Sequence, residues 1–234
     1  MTDVTDVGDV PLECLQVIVV RADNFKSNAG TLSAYTRAKG STQWHAVKED
    51  LDAKLGSSGI GRAVDDSCQT PVGCFPLGQT FGHVTNPQIS FGDYFVADEE
   101  DWWDTDWKYW LTEVAKGKHV DSTYNTYVSG PRSDFPPDFE LEAIGPTPDN
   151  DDDPENSAYD LAVFVDHNPD NIPGCGCAIF LHCDDQTPTW GCVAIDKQEL
   201  LGLLRWLRTE SHPHLSVIVD DPDIGDIDPY TACE

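Results

Sequence analysis

Basic residues are scarce in this sequence. In 234 residues, 14 Lys and Arg stand against 42 Asp and Glu, which gives a formal net charge of −28 at pH 7. Nucleic-acid binding needs clustered lysine and arginine to neutralise phosphates, so this scarcity argues against a nucleic-acid partner. Anionic membrane surfaces are disfavoured for the same reason. The charge favours solubility, and it would also attract a cationic substrate.

Long apolar runs are missing as well. The longest, at residues 15–20, is as long as a strand and far shorter than the roughly 20 residues that a membrane-spanning helix needs. We therefore predict no membrane insertion. Residues 1–10 are polar and acidic and do not resemble a signal peptide. If the protein is exported, we expect a leader outside this sequence or another export route.

Cysteine is abundant, with eight residues in the chain. Such a number favours an oxidising, extracytoplasmic setting (periplasmic, cell-wall or secreted) and predicts disulfides. We expect Cys68 to pair with Cys74, and Cys14 with Cys233 near the two ends. Disulfides are also the favoured account of Cys175, Cys177 or Cys183, although the connectivity does not follow from the sequence.

Hydrophobic patterns predict a mainly β chain with two short helices. Strands are predicted at residues 15–20, 43–47, 158–165, 176–183, 192–195 and 214–219. A leucine-rich face after an N-capping Asp196 predicts a helix at residues 197–208. We expect one domain at residues 14–234 after an acidic tail at residues 1–13. Within it lie an insertion at residues 91–120 and an acidic, proline-rich loop at residues 131–156.

The insertion is rich in tryptophan and in acidic residues. Trp102, Trp103, Trp107 and Trp110 fall within nine positions, and the last two have helical spacing. Two interpretations stay open. The segment is either a packed insertion or a wall over an active site, in which case Trp102 and Trp103 contact substrate.

Residues 175–195, CGCAIFLHCDDQTPTWGCVAI, carry the chemistry. They indicate a strand, a turn and a second strand, with His182 ending the first strand and Cys192 opening the second. An imidazole beside a thiol can take its proton and stabilise the thiolate nucleophile. Gly191 has no Cβ, so its N–H and that of Cys192 can approach a developing oxyanion. A disulfide cysteine and a surface histidine would give the same spacing.

Two segments resemble the L,D-transpeptidase (YkuD-type) catalytic domain family. AIFLH at residues 178–182 and PTWGCVA at residues 188–194 resemble its catalytic strand–turn–strand, and TPVGCFPL at residues 70–77 resembles its TPxGxFxL element. DYFVAD at residues 93–98 resembles, more faintly, a segment between the two. Trp190 stands where better-studied members have His, Ala194 stands where they have Arg, and the interval from His182 to Cys192 is shorter.

The resemblance implies a β-sandwich that acts on peptidoglycan stem peptides. The cysteine content predicts that disulfides stabilise it, and we expect no cofactor or metal. Cys192 would attack a peptide carbonyl to form a thioester, which an amine resolves to a crosslink. His182 would be the base, Gly191 and Cys192 would supply oxyanion donors, and Trp190 would contact substrate.

Other interpretations remain open. Water in place of the amine would make the protein an L,D-carboxypeptidase or related amide hydrolase, including a toxin delivered against a competitor's wall. A non-catalytic, disulfide-rich wall-binding domain would have the same fold. A zinc site at Cys175, Cys177, His182 and Cys183 is disfavoured because adjacent strand residues face opposite ways. Asp184 and Asp185 form a solvated turn or raise the basicity of His182.

Overall fold

The computed structural model describes residues 6–116, 122–146 and 157–221. Fourteen strands and two α-helices are formed within these ranges. The strands are β1 (Gln16–Asn24), β2 (Ala29–Thr36), β3 (His45–Lys54), β4 (Ile60–Gly61), β5 (Thr70–Pro71), β6 (Gly73–Gly82), β7 (Phe95–Val96), β8 (Asp101–Asp104), β9 (Tyr127–Ser129), β10 (Leu141–Ala143), β11 (Ala162–Val165), β12 (Phe180–Cys183), β13 (Val193–Ile195) and β14 (His214–Asp221). The helices are α1 (Trp107–Ala115) and α2 (Lys197–Trp206).

The main sheet closes on itself. Its strand order is β11-β12-β13-β3-β2-β1-β14-β6-β7, and β11 also pairs with β6. That extra pairing joins the two ends of an eight-stranded ring and leaves β7 as an additional strand beside β6. The interior of an eight-stranded barrel is narrow enough for side chains to fill it.

All eight strands of the ring contribute apolar side chains to one core. One buried member from each is Ile18, Leu32, Ala53, Leu77, Val163, Leu181, Val193 and Leu215. Residues at alternate positions along a strand share a face, so Leu181 and Cys183 point into this core while Phe180 and His182 point away from it. The barrel strands therefore have one face that packs and a second face that is available for a site.

Helix α2 packs on the same core. Its side chains Leu200, Leu203 and Leu204 are buried there. The Asp196 carboxylate accepts hydrogen bonds from the backbone N–H groups of Gln198 and Glu199, so it caps the helix as predicted.

A second, three-stranded sheet lies against the outer face of the barrel. Its order is β10-β8-β9, with Glu142 of β10 opposite Trp103 of β8. Trp103 is 3% exposed and packs edge-on against Phe180 of the barrel, with ring centroids 5.1 Å apart. The insertion at residues 91–120 supplies β8 and α1, and the predicted loop at residues 131–156 supplies β10. The acidic run at residues 149–153 lies outside the described residues.

The mainly β class and the two helices are confirmed within the described residues. The predicted sandwich is not, because the pairing of β11 with β6 closes the sheet into a ring. No described helix has the length and apolar character to cross a membrane.

The predicted disulfides are not supported. No disulfide is formed among the seven cysteines of the described ranges, Cys14, Cys68, Cys74, Cys175, Cys177, Cys183 and Cys192. The expected Cys68–Cys74 bridge is therefore absent, and Cys14 donates through its thiol to the Gln16 carbonyl (3.1 Å). Cys233, its expected partner, lies outside the described residues. The barrel is held by its apolar core, which needs no covalent link.

The start of the chain is more ordered than a loose tail. Val7 is 8% exposed and packs with Val17, Val19 and Tyr35 on the outer face of β1 and β2. Arg21 forms an ion pair with Asp6 (3.3 Å). Within the predicted acidic tail, Val7 thus packs on the domain and Asp6 pairs with it.

Candidate active site

His182 and Cys192 lie on the same face of two adjacent strands. Strands β12 and β13 run parallel, with His182 opposite Ala194. Cys192 precedes Ala194 by two residues, so its side chain projects to the same side as that of His182. This is the outer face of the barrel, opposite the packed interior. The structure therefore places the two predicted catalytic residues on one face of the sheet.

Both side chains line one cleft of about 710 Å³, formed between the barrel and the small sheet. A volume of this size falls within the range of about 300–1,000 Å³ that is usual for ligand sites. The insertion contributes Thr105 and Trp107 to its wall, and the segment that supplies β10 contributes Phe139 and Glu142. The cleft is thus shared between the barrel and the segments that cover it.

The Cys192 thiol sits in a cradle of backbone groups. It donates a hydrogen bond to the Ala178 carbonyl (3.3 Å) and accepts one from the Phe180 N–H (3.3 Å). Burial and the negative charge of Glu142 raise its pKa, and the Phe180 N–H opposes that rise. In the resting protein Cys192 is thus a protonated thiol, which needs a base before it can attack.

His182 is suited to serve as that base. Its Nδ1 lies 2.8 Å from the Cys183 carbonyl oxygen. Because a carbonyl only accepts, Nδ1 carries the proton, and the neutral ring keeps a free lone pair on Nε2. Burial lowers the pKa of His182, which keeps the ring neutral, although the Cys183 hydrogen bond and the charges of Asp185 and Asp184 oppose this.

The two family-like sequence elements meet at the backbone of Cys192. Thr70, from TPVGCFPL, donates its hydroxyl to the Cys192 carbonyl (3.2 Å). Thr189, from PTWGCVA, donates to the same carbonyl (2.7 Å). Two hydroxyls on one carbonyl oxygen fix the peptide plane that comes after the nucleophile, which explains why threonine occurs in both elements.

Gly191 has a packing role that differs from the predicted one. Its φ is +141°, and a Cβ there would lie 2.9 Å from the Gln69 carbonyl oxygen. Glycine is needed for this close approach. Its N–H already donates to the Thr189 hydroxyl (3.1 Å), so the oxyanion role predicted for that N–H is not available in this arrangement.

The three tryptophans predicted to contact substrate lie in different environments. Trp190 is 87% exposed at the cleft, as a substrate-contacting residue would be. Trp103 is in the core, and its Nε1 donates to the Asn125 side-chain oxygen (3.1 Å). Trp102 donates to the Gly130 carbonyl (3.0 Å) and is not among the residues of the cleft wall. The wall interpretation is therefore wrong for Trp103, which packs between the sheet and the barrel.

Trp103 nevertheless reaches the site through Asn125. The Asn125 side-chain oxygen also accepts from the Ala178 N–H (3.0 Å), and the Ala178 carbonyl accepts from the Cys192 thiol. Ala178 has a left-handed φ of +52°, an uncommon conformation for a residue with a side chain. Trp103 and Asn125 thus help to hold the backbone that contacts the Cys192 thiol.

Glu142 and Tyr159 are site residues that the sequence did not reveal. Both line the cleft, and the Tyr159 hydroxyl donates to a Glu142 carboxylate oxygen. The Tyr159 ring stands edge-on to His182, with centroids 5.6 Å apart. Burial raises the pKa of Glu142 to about 7, and the Tyr159 hydrogen bond opposes this. Glu142 lies in a segment whose sequence is typical of a loop, so no periodic pattern marks it.

The zinc alternative has no support within the described residues, where no cluster of three or more His, Cys, Asp or Glu is arranged to hold a metal. Cys183 points into the barrel core while His182 faces the cleft. The Cys177 thiol instead donates to Asp65 (3.2 Å).

No family model, curated protein or solved structure matches this chain. The resemblance to L,D-transpeptidases therefore depends on the sequence motifs alone, and a functional assignment depends on those motifs together with the geometry of the cleft.

Proposed function

We propose that this chain is a cysteine-dependent acyl transferase that acts on peptidoglycan stem peptides. Cys192 is the nucleophile, His182 is its base, and the intermediate is a Cys192 thioester. The observation that carries the proposal is the placement of a free thiol and a neutral imidazole on one face of adjacent strands, both open to one cleft.

The first step needs a proton to leave the thiol. The His182 lone pair takes the proton of Cys192, and the resulting thiolate forms a C–S bond to the donor carbonyl. As the amide C–N bond breaks, the imidazolium returns the proton to the leaving amine. In the structure the thiol donates to Ala178, so it must rotate toward the imidazole when a donor binds, as is common for catalytic contacts that tighten only in the complex.

The oxyanion that forms in this step needs donors other than the Gly191 N–H. The Cys192 N–H is the donor that the motif offers at the nucleophile itself. A change in the Thr189 rotamer would also release the Gly191 N–H, since that hydroxyl now accepts from it.

The peptidoglycan substrate class rests on the motif resemblance, and the cleft supports it in one respect. The cleft wall is strongly acidic, and stem peptides carry amino groups that such a wall attracts. Transfer to an amine gives a crosslink, whereas transfer to water gives a trimmed peptide.

The product profile from purified muropeptides tests the proposal. Wild-type protein should convert disaccharide-tetrapeptides to crosslinked dimers or trimmed monomers, and the Cys192→Ala variant should give neither. Unchanged muropeptides after long incubation with folded wild-type protein would exclude this substrate class.

A further inference from the structure

The charged residues that line the cleft are all acidic. Among its described lining residues are five carboxylates, Asp65, Asp66, Glu140, Glu142 and Asp185, and no lysine or arginine. A cleft of this kind repels an anionic group and concentrates a cationic one. The acyl acceptor of the proposed reaction is an amine, which is a cation near neutral pH.

Most of these carboxylates already have partners. Asp65 accepts from the Tyr124 hydroxyl (2.7 Å), the Gly176 N–H (2.8 Å) and the Cys177 thiol (3.2 Å). Lys108 lies 3.5 Å from both Asp66 and Glu140.

Asp185 is also accounted for, since it accepts from the N–H and the hydroxyl of Thr187 at 3.0 and 2.8 Å in an exposed turn. Glu142 differs from the other four because its hydrogen-bond partner within the described residues is one neutral hydroxyl, that of Tyr159. A carboxylate accepts several hydrogen bonds, so Glu142 keeps capacity for a ligand.

Glu142 is also held in place. It lies opposite Trp103 across the β8–β10 pair, and Trp103 packs on Phe180, whose N–H contacts the Cys192 sulfur. Tyr159, which is 8% exposed, fixes the carboxylate from the barrel side. The small sheet therefore holds the Glu142 carboxylate in a fixed position in the cleft that contains Cys192.

We propose that Glu142, positioned by Tyr159, is the binding residue for the protonated primary amine that accepts the acyl group. The role of the amine as acyl acceptor rests on the proposed acyl transfer. The binding of an ammonium group at Glu142 is independent of that reaction. The pair thus gives the cleft its preference for an amine over water.

The transfer step balances with this assignment. The bound ammonium gives one proton to the Glu142 carboxylate, and the neutral nitrogen forms a C–N bond to the thioester carbonyl. The C–S bond breaks, a second nitrogen proton passes through His182 to the departing thiolate, and Cys192 returns to the thiol. Glu142 then releases its proton to solvent.

Occupation of Glu142 also has a consequence for the nucleophile. The charge of Glu142 opposes ionisation of Cys192, as does burial. An ammonium group beside Glu142 offsets that charge, so it should lower the pKa of Cys192 and speed its alkylation. Within the described part of the chain, the titratable groups that interact with Glu142 are Tyr159, Cys177 and Cys192, none of which is cationic.

The first experiment needs no acyl donor. Alkylation of Cys192 by chloroacetamide at pH 7 is followed by peptide mass spectrometry, with and without glycinamide, at ionic strength matched with NaCl. Glycinamide should accelerate the wild-type reaction on the order of tenfold, as expected for a shift of about one pKa unit. The matched Glu140→Gln variant should respond like wild type, and Glu142→Gln should react faster without the amine and show no acceleration. Equal acceleration in Glu142→Gln and wild type, or none in wild type, would overturn the assignment.

The second experiment separates the acceptor role from the acyl transfer itself. With disaccharide-tetrapeptide as donor and glycinamide as acceptor, the ratio of amide to acid product is measured by mass spectrometry. Glu142→Gln should lower that ratio on the order of tenfold, the size expected for loss of one charge-assisted hydrogen bond, and Tyr159→Phe should lower it too. An unchanged ratio in both variants contradicts the acceptor role and leaves the acyl transfer standing. Absence of any product from wild type contradicts the acyl transfer, and the alkylation experiment then decides on Glu142 alone.

Discussion

The two faces of strands β12 and β13 differ in what they contact: one packs in the barrel core and the other lines the cleft. Toward the barrel interior they present Leu181, Cys183, Val193 and Ile195, which are buried among the leucines of α2. Toward the cleft they present His182 and Cys192, beside Tyr159. The alternation of a strand thus places stabilising side chains on one face and the proposed catalytic side chains on the other. Variants on each face can test this division.

Substitutions of the adjacent residues His182 and Leu181 should affect different properties, activity in the first case and stability in the second. His182→Ala should lower the rate of acyl transfer about 10²–10⁴-fold, the usual range for lost proton transfer, and should destabilise the fold less than truncation of a core leucine does. Leu181→Ala should destabilise the fold by about 2–5 kcal/mol and leave the folded fraction active. Steady-state rates and denaturant unfolding of both variants check this. Near-normal turnover in His182→Ala would assign the base to another group.

Trp103 and Trp190 allow the same comparison, because Trp103 packs in the core and Trp190 is proposed to contact substrate. Trp103→Ala should lower the free energy of unfolding by about 3–5 kcal/mol, because it truncates a buried ring between the sheet and the barrel. Trp190→Ala should leave stability unchanged and lower turnover by about 2–10-fold, in line with the ~0.5–1.5 kcal/mol of an aromatic contact. Chemical denaturation and turnover, measured on both variants, separate the two roles. A Trp103→Ala protein as stable as wild type would contradict the packing of the insertion on the barrel.

Ionisation of Glu142 should lower the free energy of unfolding. Its folded pKa of about 7 lies above the ordinary 4.5, so its stabilising contribution is complete below pH 4.5 and is lost as the pH rises through 7. Glu142→Gln should therefore be more stable than wild type by about 1–2 kcal/mol at pH 8, and equal to it at pH 4.5. This is less than the full value of the shift, because the side chain is partly exposed. Unfolding curves of wild-type and Glu142→Gln protein across this pH range provide the measurement.

Treatment of the protein with a reductant should have the smallest effect on stability. A barrel that is held by its apolar core and has no disulfide among its seven described cysteines should unfold at the same denaturant concentration with and without a reductant. Removal of a structural disulfide would instead cost about 2–5 kcal/mol. Thiol titration of denatured, unreduced protein should find at least seven thiols. Detection of hardly any free thiol would restore the disulfide prediction.

The sequence allowed prediction of the local elements and the pair at the centre of the site. The run that became β1, the leucine face of α2 and the Asp196 cap each have a local signature, and so do His182 and Cys192. Closure of the ring depends on the pairing of β11 with β6, residues about 80 positions apart, which no local pattern encodes. Glu142 was missed for the same reason, since only the folded sheet brings it to the cleft. The disulfide prediction relied on composition, which does not determine pairing.

The acylation of Cys192 is the most direct test of the division between the two faces. Intact-mass analysis after incubation with a carbapenem should show one covalent adduct on wild-type protein, one on Cys183→Ala and none on Cys192→Ala. Cys183 and Cys192 are both buried, but they lie on opposite faces of the sheet. An adduct that persists in Cys192→Ala, or one that is lost in folded Cys183→Ala, would contradict the assignment of the nucleophile.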